Sequence, residues 1–259
     1  MIKPVDDVLK ITIITAVYNR VKTIAESVNS VKQQTYSYVE HIVVDGASDD
    51  GTLSVVQGLA VDVKDFILIS EPDNGLYDAI NKGFSLSTGD VIGLMHSDDY
   101  FADDRVLESV AEAFVDETVD AVYGDLVYVA NDDTTCVIRN WIAGEYHPTK
   151  IKRGWMPPHP TLFIRRHVIE SLGGFDTRYR ISADYDAILR YYNQGKIFSK
   201  YIPRVLVKMR TGGISNNSIG KIFQKTKEDY LALRRNHVGG LWALTCKNLS
   251  KVQQYYKHL

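Results

Sequence analysis

The order of secondary structure in the first 95 residues constrains the fold of this chain more than any other feature. Four apolar runs suited to buried strands, at 11–17, 40–44, 66–69 and 91–95, are separated by segments whose apolar residues recur every three or four positions. Strands that alternate with helices in this way pair in parallel through right-handed crossover connections. The sequence therefore predicts an α/β fold with a parallel sheet. Thr23 and Glu26 have the spacing of a capping box for the first helix.

The regular alternation ends beyond Asp99. Residues 154–160 read Gly-Trp-Met-Pro-Pro-His-Pro, and because prolines remove donors and restrict the preceding residue, this segment is predicted to be a loop against a pocket. The glycine-containing segment 211–217 is predicted to be a mobile loop. The tail from 220 to 259 contains 8 Lys and Arg against 2 acidic residues, which predicts a basic amphipathic helix that docks on protein or on a membrane surface. Its apolar stripe is expected to comprise Trp242, Cys246, Leu249, Val252 and Tyr256.

Charge is distributed unevenly along the chain, although its formal net charge is only −2. Residues 1–138 contain 8 Lys and Arg against 25 Asp and Glu, whereas residues 139–259 contain 22 against 7. The two halves are therefore expected to bind different partners. The acidic half would bind its partner with the help of a cation, and the basic half would bind an anionic partner. We expect no nucleic-acid partner.

Cysteine usage and hydropathy predict a cytoplasmic protein. Cys136 and Cys246 are far apart in the sequence, which argues against a disulfide framework or a structural zinc site. Acidic residues stand near the start, where a signal peptide would be apolar, and no apolar run approaches the roughly 20 residues that span a bilayer. The sequence leaves open both peripheral contact with the inner face of the membrane through the basic tail and the oligomeric state.

The apolar run that follows Gly89 ends abruptly in Ser97, Asp98 and Asp99. In open α/β sheets, ligands bind beyond the carboxyl ends of such strands. Adjacent carboxylates repel each other and lose hydration on burial, so a metal or a set of hydrogen-bond donors is expected to compensate them. The alternative is a solvated turn that caps the next helix.

Several short motifs occur together in one order and spacing. They are the first strand with Tyr18-Asn19-Arg20, the block 43–52, Asn81-Lys82-Gly83, Gly89-Asp90, Ser97-Asp98-Asp99 and Gly173-Gly174-Phe175-Asp176 followed by Asp184. Each motif alone is weak, but the set resembles glycosyltransferase family 2 from about residue 11 to 215. The resemblance implies a GT-A fold, which is a Rossmann-like, mostly parallel sheet flanked by helices, here with a C-terminal helical extension.

The resemblance also implies a domain organisation and a function. A GT-A domain at 1–215 would comprise a nucleotide-sugar-binding half, about 1–125, and an acceptor-binding half, 126–215, followed by a basic helical extension at 216–259. The implied enzyme is an inverting, metal-dependent, non-processive glycosyltransferase. Its donor would be a nucleotide sugar, with UDP-sugars ahead of GDP- and dTDP-sugars. Its acceptor would be a glycan, in particular a polyprenyl-diphosphate-linked intermediate of bacterial O-antigen, lipopolysaccharide or exopolysaccharide synthesis.

By the same resemblance, Asp99 is the protein ligand of a Mn²⁺ or Mg²⁺ ion that bridges the donor phosphates, while Asp98 is directed to the ribose. Asp45 would accept hydrogen bonds from the base or ribose. Lys208 and Arg210 are expected to close on the leaving phosphates. The full set of residues expected in the nucleotide-sugar pocket is Ala16, Tyr18, Asn19, Asp45, Asp73, Asn81, Lys82, Asp98, Lys208 and Arg210.

Inversion requires a base on the face of the sugar opposite the leaving phosphate. The resemblance assigns this role to Asp184, for which a helix N-cap is the alternative. An acidic pair is common at this point in the family, but residue 183 is alanine, so no assisting acid is expected. Asp186 is a rival, although it lies about 200° further around the helix and should face elsewhere.

Three further residues have roles that the motif set does not fix. Trp155 and His159, in the proline-rich loop, are expected on the acceptor side, where His159 contacts the acceptor or the diphosphate unless it is purely structural. His96 departs from the family pattern, which commonly has an acid or asparagine at this point. It either donates to a phosphate or packs as a buried histidine.

Other functional classes lack the motifs that they need. A nucleotidyltransferase would have a glycine-rich, basic loop after the first strand, and a dinucleotide oxidoreductase would have GxGxxG there, but residues 15–19 offer neither. A processive polysaccharide synthase would carry spanning helices and a Gln-x-x-Arg-Trp motif, and neither occurs. A catalytically silent nucleotide-sugar-binding or scaffold protein is the alternative function, and the presence of all four carboxylates argues against it.

Overall fold

The computed structural model describes residues 8–61, 63–211 and 219–256. Within these residues nine strands form one sheet. The strands are β1 (Ile11–Val17), β2 (Val39–Asp45), β3 (Phe66–Ser70), β4 (Val91–Leu94), β5 (Tyr100–Phe101), β6 (Ala121–Val129), β7 (Val137–Trp141), β8 (Phe163–Arg165) and β9 (Ser199–Arg210). Their order across the sheet is β3-β2-β1-β4-β8-β6-β9-β5, with β7 paired to β6.

Nine α-helices connect or flank these strands in the described part of the chain. They are α1 (Ile24–Lys32), α2 (Thr52–Ala60), α3 (Leu76–Leu86), α4 (Val106–Ala113), α5 (Pro148–Ile151), α6 (Arg166–Leu172), α7 (Ala183–Leu189), α8 (Ile219–Arg235) and α9 (Leu241–Tyr256). A 3-10 turn at His159–Thr161 follows the irregular segment 155–158, as the prolines there predict. Gly212 to Asn217 of the predicted mobile loop lie outside the described residues.

The first four strands pair in parallel, as their alternation with helices predicts. β1 pairs with β2 and with β4, and β2 pairs with β3. Val17 lies opposite Asp45, and the Met95 amide donates to the Ile14 carbonyl. The carboxyl ends of β1, β2 and β4 therefore lie along one edge of the sheet, and the loops that follow them project there.

The second half of the sheet is mixed. β8 is antiparallel to β4 and β6, whereas β6 is parallel to β9. β5 and β7 add antiparallel pairs at the far side. Parallel pairing thus extends over the first four strands. It ends at β8, which runs antiparallel to β4 because the chain enters β8 from the proline-rich loop and not from a crossover helix.

Successive residues of β1 face two different cores. Ile14 packs in a cluster with α3, α7 and α8 residues, whereas Ile13 packs in a second cluster with α4 residues such as Leu107. Val17 joins a third cluster with α1 and α2. Helices therefore cover both faces of the central strands, which is why β1 is buried along its whole length.

The capping box predicted at the start of α1 is wrong. Thr23 occupies the N-cap position but makes no side-chain cap hydrogen bond, and its buried hydroxyl has no partner among the described residues. Glu26 instead accepts from the guanidinium of Arg210, which comes from the end of β9. A charged partner from a distant strand therefore takes the carboxylate that the local pattern assigned to the helix end.

The tail forms two helices, and its docked face differs from the predicted stripe. Trp242 and Leu249 are 72% and 63% exposed, whereas Lys247 is 6% exposed and forms a 2.8 Å ion pair with Asp229 of α8. A Cβ at Gly154, whose φ is +76°, would lie 2.4 Å from the Ala243 carbonyl oxygen. α9 therefore packs on the segment around Gly154 through Ala243 and Lys247. The side chains of Val252 and Tyr256 lie outside the described set.

No helix in the described part of the chain combines the length and the apolar character needed to cross a membrane.

Candidate active site

The loop that follows β2 is organised by Asp45. This residue is completely buried, and its carboxylate accepts hydrogen bonds from the Ser48 amide at 3.1 Å, the Ser48 hydroxyl and the Ser70 hydroxyl at 2.6 Å. These bonds give the buried carboxylate the hydrogen-bond partners that it needs away from water. Asp45 thus fixes the loop at the strand end, and any nucleotide contact would share its oxygens with these serines.

The loops after β1 and β2 are tied together by Asn19. Its amide nitrogen donates to Asp49 at 2.9 Å, and its amide oxygen accepts from the Asp49 backbone at 3.1 Å. The φ of Asn19 is +51°, a left-handed conformation that asparagine tolerates better than most residues. These bonds hold Tyr18, which is 58% exposed, at the open end of β1.

Asp73 approaches the same corner from the loop after β3. A Cβ on Gly46 would lie 2.5 Å from Asp73 Oδ2 and 3.5 Å from Tyr18 Cδ2, so the glycine permits this close approach. Ala16 lies buried below in β1. The structure therefore brings together five residues of the predicted nucleotide pocket, which are Ala16, Tyr18, Asn19, Asp45 and Asp73.

An open cleft of about 450 Å³ adjoins this corner and reaches the carboxyl end of β4. Such a volume lies in the range of small-molecule sites. Asp98 lines the cleft beside positively charged side chains of the loop after β1 and of β9. The lining residues are Asn19, Arg20, Val21, Lys22, Thr23, Asp50, Asp98, Asn131, Arg210 and Thr211.

The two adjacent aspartates face different surroundings, as expected for neighbouring residues at a strand end. Asp98 faces the cleft, whereas Asp99 is 1% exposed and accepts from the Arg210 amide at 3.1 Å. Asp99 Oδ2 is buried and has no hydrogen-bond partner among the described residues. Burial, reinforced by the neighbouring Asp98, raises the pKa of Asp99 well above its usual range. A compensating cation, or a bound proton, is therefore required at this oxygen.

The donor set of this turn fits a divalent cation. No group of three or more His, Cys, Asp or Glu side chains is arranged to hold a metal in the described ranges. Mg²⁺ sites in phosphate-binding enzymes, however, commonly use only one or two carboxylates and complete their shell with substrate phosphates and water. The buried, unpartnered Oδ2 of Asp99 beside Asp98 matches that chemistry.

Arg210 braces the aspartate turn. Its guanidinium donates to the Asp98 carbonyl at 2.7 Å and to Glu26, and it lies 5.1 Å from the Tyr100 ring centroid. Only 7% of the residue is exposed. Arg210 thus braces the wall of the cleft that it lines, and its expected contact with the leaving phosphates stays a prediction. Lys208, two residues earlier, lies 5.9 Å from the same ring.

Asp184 lies in the first turn of α7, where Ser182 occupies the N-cap position, so the N-cap alternative for Asp184 is wrong. The Tyr77 hydroxyl lies 3.2 Å from Asp184 Oδ1, and His159 Nδ1 lies 3.2 Å from Oδ2. Burial opposes ionisation, but the nearby His159 ring and the positive charges of Lys225 and Lys247 outweigh it and lower the pKa of Asp184. The carboxylate is therefore ionised at neutral pH, as a base requires.

Asp186 faces elsewhere, as the helix geometry predicts. It accepts from the Asn236 amide at 2.9 Å and lies 3.5 Å from Arg190. These contacts join α7 to the residue that follows α8. Asp186 is therefore a packing residue. Of the two aspartates in the first turn of α7, Asp184 is the candidate for the catalytic base.

Two histidines connect Asp184 to the aspartate turn. His159 Nε2 lies 2.9 Å from His96 Nε2, and His96 precedes Asp98 by two residues. Burial lowers the pKa of His159 to about 4 and also lowers the pKa of His96. The sequence did not predict the contact between the two histidines or any role for Tyr77. Its sequence position gives no signal of the contact with Asp184, which lies 107 residues away.

Three predicted site residues have their polar groups engaged within the chain. The Asn81 side-chain amide donates to the Phe175 carbonyl at 2.8 Å and accepts from the Phe175 backbone amide at 2.9 Å. Lys82 pairs with Glu71 at 2.7 Å. The Trp155 indole donates to the Ala143 carbonyl at 3.0 Å within a cluster of tyrosines. We therefore assign these three residues to the support of the loops around the site.

Comparison with known proteins agrees with this architecture. The family described as glycosyl transferase family 2 matches residues 12–173. A PGL/p-HBAD biosynthesis glycosyltransferase of Mycobacterium tuberculosis is 29% identical over 218 residues, which cover 83% of this chain and 82% of that protein. An uncharacterized glycosyltransferase of Nostoc is 28% identical over 218 residues, covering 81% and 67%.

Solved structures share the GT-A fold at low sequence identity. The mannosyltransferase PcManGT from Pyrobaculum calidifontis, in complex with GDP-Man and Mn²⁺, has a TM-score of 0.66 at 19% identity, over 97% of this chain and 76% of that chain. S. aureus TarS 1-349 in complex with UDP-GlcNAc has a TM-score of 0.68 at 17% identity, over 89% and 66%. This chain covers only 40% of a longer S. aureus TarS structure.

Proposed function

The chain belongs to glycosyl transferase family 2 and is a glycosyltransferase that uses a nucleotide sugar, and from this premise we propose that it transfers one sugar with inversion in a metal-dependent, non-processive reaction. The observation that supports this most directly is the position of Asp184. Contacts of 3.2 and 2.9 Å connect it through His159 to His96. The proposed base therefore lies close to the turn that carries Asp98 and Asp99.

In the proposed mechanism, each carboxylate has a separate task. Asp184 accepts the proton of the acceptor hydroxyl as that oxygen attacks the anomeric carbon, and the bond to the leaving phosphate breaks. Asp99 would hold Mn²⁺ or Mg²⁺, which when bound supplies Lewis-acid stabilisation to the departing nucleoside diphosphate. Asp98 would orient the ribose. The corner formed by Tyr18, Asn19 and Asp73, and fixed by Asp45, would bind the base.

We propose a UDP-sugar as the first donor to test, and GDP- and dTDP-sugars next. The solved relatives named above include one bound to UDP-GlcNAc and one bound to GDP-Man, so both nucleotides occur on this fold. The acceptor is proposed to be a polyprenyl-diphosphate-linked glycan of bacterial surface-polysaccharide synthesis. The excess of 22 basic over 7 acidic residues in 139–259 suits such an anionic partner.

We propose that the C-terminal helices act together with the acceptor half. α8 packs on α7 and contributes Glu228, whose carboxylate accepts from the amides of Ile181 and Ser182 at 2.8 and 3.0 Å. Lys225 and Lys247 lie near enough to lower the pKa of Asp184. The boundary at residue 215 is therefore a division of the sequence only. Residues 126–215 and 216–259 would together form the acceptor side.

Contact with the inner face of a membrane is proposed through α9. Leu241 and Trp242 are 71% and 72% exposed on this helix, and tryptophan beside basic residues suits the interface of an anionic bilayer. Trp242→Ser should reduce partitioning onto vesicles that contain anionic lipid, measured by sedimentation, whereas Val61→Ser, at an exposed position of the donor half, should not. Equal partitioning of the Trp242→Ser variant would contradict this contact.

The principal experiment compares Asp184→Asn, Asp99→Asn and the surface control Glu117→Gln. Asp184→Asn should bind the donor as the wild type does and lose about 10²- to 10⁴-fold in transfer. Asp99→Asn should lose metal-dependent donor binding, because a neutral amide replaces the buried carboxylate that would hold the metal ion. Donor binding is measured by thermal stabilisation with Mn²⁺ and a panel of nucleotide sugars, and transfer by nucleoside diphosphate release.

The outcomes separate the parts of the proposal. Normal transfer by Asp184→Asn would remove Asp184 as the base. Unchanged metal dependence in Asp99→Asn would remove the metal assignment. Binding of nucleotide sugars without any turnover by the wild type would favour the silent binding protein over the enzyme.

A further inference from the structure

Three ionisable side chains from three separate elements lie in one row, in which each is within 3.2 Å of the next. Asp184 comes from α7, His159 from the 3-10 turn after the proline-rich segment, and His96 from the turn after β4. The Asp184 Oδ2 to His159 Nδ1 distance is 3.2 Å, and the two Nε2 atoms of His159 and His96 are 2.9 Å apart. All three lie in largely buried surroundings, so each contact replaces hydration that the groups would otherwise have.

The chemistry of the row determines where its hydrogens lie. An ionised carboxylate has no hydrogen to donate, and a lone pair on Nδ1 would repel it at 3.2 Å, so this approach favours the form of His159 with its hydrogen on Nδ1. A neutral His159 then has a lone pair on Nε2, and His96 must supply the hydrogen of the 2.9 Å contact from its own Nε2. The low pKa of His159, about 4 because of its burial, is consistent with this neutral form.

The backbone of His96 is held in place independently of its ring. Its carbonyl oxygen accepts from the Ser27 hydroxyl at 2.9 Å and from the Asp99 amide at 3.1 Å. The imidazole of His96 is therefore presented from the same closed turn that carries Asp98 and Asp99. A fixed donor at this point favours one tautomer of His159 over the other.

We propose that His96 and His159 are positioning residues for Asp184, with His96 fixing the tautomer of His159 and His159 orienting the carboxylate. The inference rests on the proposed role of Asp184 as the base. Because His159 occupies Oδ2, Oδ1 is the oxygen directed to the acceptor hydroxyl. The row thus couples the orientation of the base to the turn that binds the donor.

Tyr77 is compatible with this assignment of the two oxygens. Its hydroxyl lies 2.7 Å from the Ile181 carbonyl and 3.2 Å from Asp184 Oδ1. One hydroxyl hydrogen cannot serve both acceptors fully, and the shorter contact is to the carbonyl. Oδ1 therefore keeps acceptor capacity, whereas Oδ2 has His159 Nδ1 beside it at 3.2 Å.

Matched variants distinguish orientation from simple packing. In His159→Asn the amide nitrogen takes the position of Nδ1 and can still donate to Asp184, whereas His159→Leu fills the space without a donor. In His96→Gln the amide nitrogen reaches the position of Nε2, whereas His96→Leu does not donate. The control is His167→Leu, because His167 is a largely exposed histidine paired with Asp120 at 3.3 Å.

The expected kinetic result is a loss of kcat with little change in the donor KM. His159→Leu and His96→Leu should each lower kcat about 10- to 100-fold, the range seen when an orienting partner of a site residue is removed. His159→Asn and His96→Gln should recover most of that loss. Equal losses in the paired Asn and Leu variants, or unchanged kcat in His159→Leu, would overturn the inference.

A second measurement does not depend on activity. Long-range ¹H–¹⁵N spectra of histidine-labelled protein report which ring nitrogen carries the hydrogen. Wild-type His159 should show the Nδ1–H form, and His96→Leu should shift it toward a mixture while His96→Gln preserves it. A wild-type Nε2–H form would refute the row even in a fully active enzyme. Absent turnover with an intact Nδ1–H form would count against the proposed function instead.

Discussion

His41 is a titratable side chain enclosed within the sheet. Its Nε2 lies 3.0 Å from the Thr15 hydroxyl, and its ring packs edge-on against Phe66 at 5.2 Å between centroids. Only 3% of the residue is exposed. Burial disfavours the imidazolium and lowers the pKa of His41 to about 3. Folding therefore keeps this side chain neutral in a pH range where the unfolded chain protonates it.

We predict that His41 makes the free energy of unfolding decrease on acidification from about pH 6.5 to about pH 3. In that window the unfolded state binds a proton that the folded state does not, so stability falls by up to about 1.4 kcal/mol for each pH unit from this group. His41→Leu should remove this part of the slope. Urea denaturation at a series of pH values measures it. The exposed-site variant His167→Leu should keep the wild-type slope, and an unchanged slope in His41→Leu would contradict the prediction.

At the scale of elements, the Asn81 side chain joins α3 to the Gly174-Phe175 turn between α6 and α7. Asn81 bonds both the amide and the carbonyl of Phe175, and a Cβ on Gly174 would lie 2.5 Å from Asn81 Oδ1. The glycine allows the amide to come this close, which explains why Asn81 and Gly174 occur together in the motif set. The pattern indicated that both residues belong to one site but not that they bind each other.

Asn81→Ala should lower the free energy of unfolding by about 1 to 3 kcal/mol, since the backbone groups of Phe175 lose their partner in a half-buried place. Urea denaturation gives this value. Ser85→Ala, on the exposed side of the same helix, should change stability by less than about 0.5 kcal/mol. Equal effects of the two variants would show that the Phe175 contacts contribute nothing beyond helix propensity.

At the scale of the whole molecule, the docking of α9 joins the C-terminal helices to the segment at Gly154 and to α7. Lys247 and Asp229 form an ion pair at 2.8 Å with 6% and 2% of their side chains exposed, and the Lys247 ammonium lies 3.2 Å from the Tyr185 ring centroid. Gly154 lets the helix backbone approach. An extension held by a buried charge pair is therefore part of the folded unit.

Removing one member of this pair should destabilise the protein strongly. Asp229→Ala leaves a buried ammonium uncompensated, and we expect a loss of about 3 to 5 kcal/mol in unfolding free energy. The double variant Asp229→Ala/Lys247→Met should be less destabilised than the sum of the two single variants. Denaturation of all three against the exposed-site control Lys227→Met measures the coupling. Additive effects would contradict a buried, mutually dependent pair.

Sequence by itself determined the order of β1 to β4 with their helices, the α/β class, the family and the location of Asp45, Asp98, Asp99 and Asp184 near strand or helix ends. These features follow from local periodicity and from motif spacing, because a strand or helix is encoded within a few neighbouring residues. Parallel pairing then brings the strand ends to a common edge.

Only the tertiary structure decided which of these side chains meet. His96 contacts His159 across 63 residues, and Arg210 reaches Glu26 across 184. The apolar spacing in the tail suggested Trp242 for the docked face, but the buried pairing of Lys247 directs that side outward. Long-range contacts depend on register and packing between distant elements, and on which polar groups lose water together. Periodicity within one element does not contain that information.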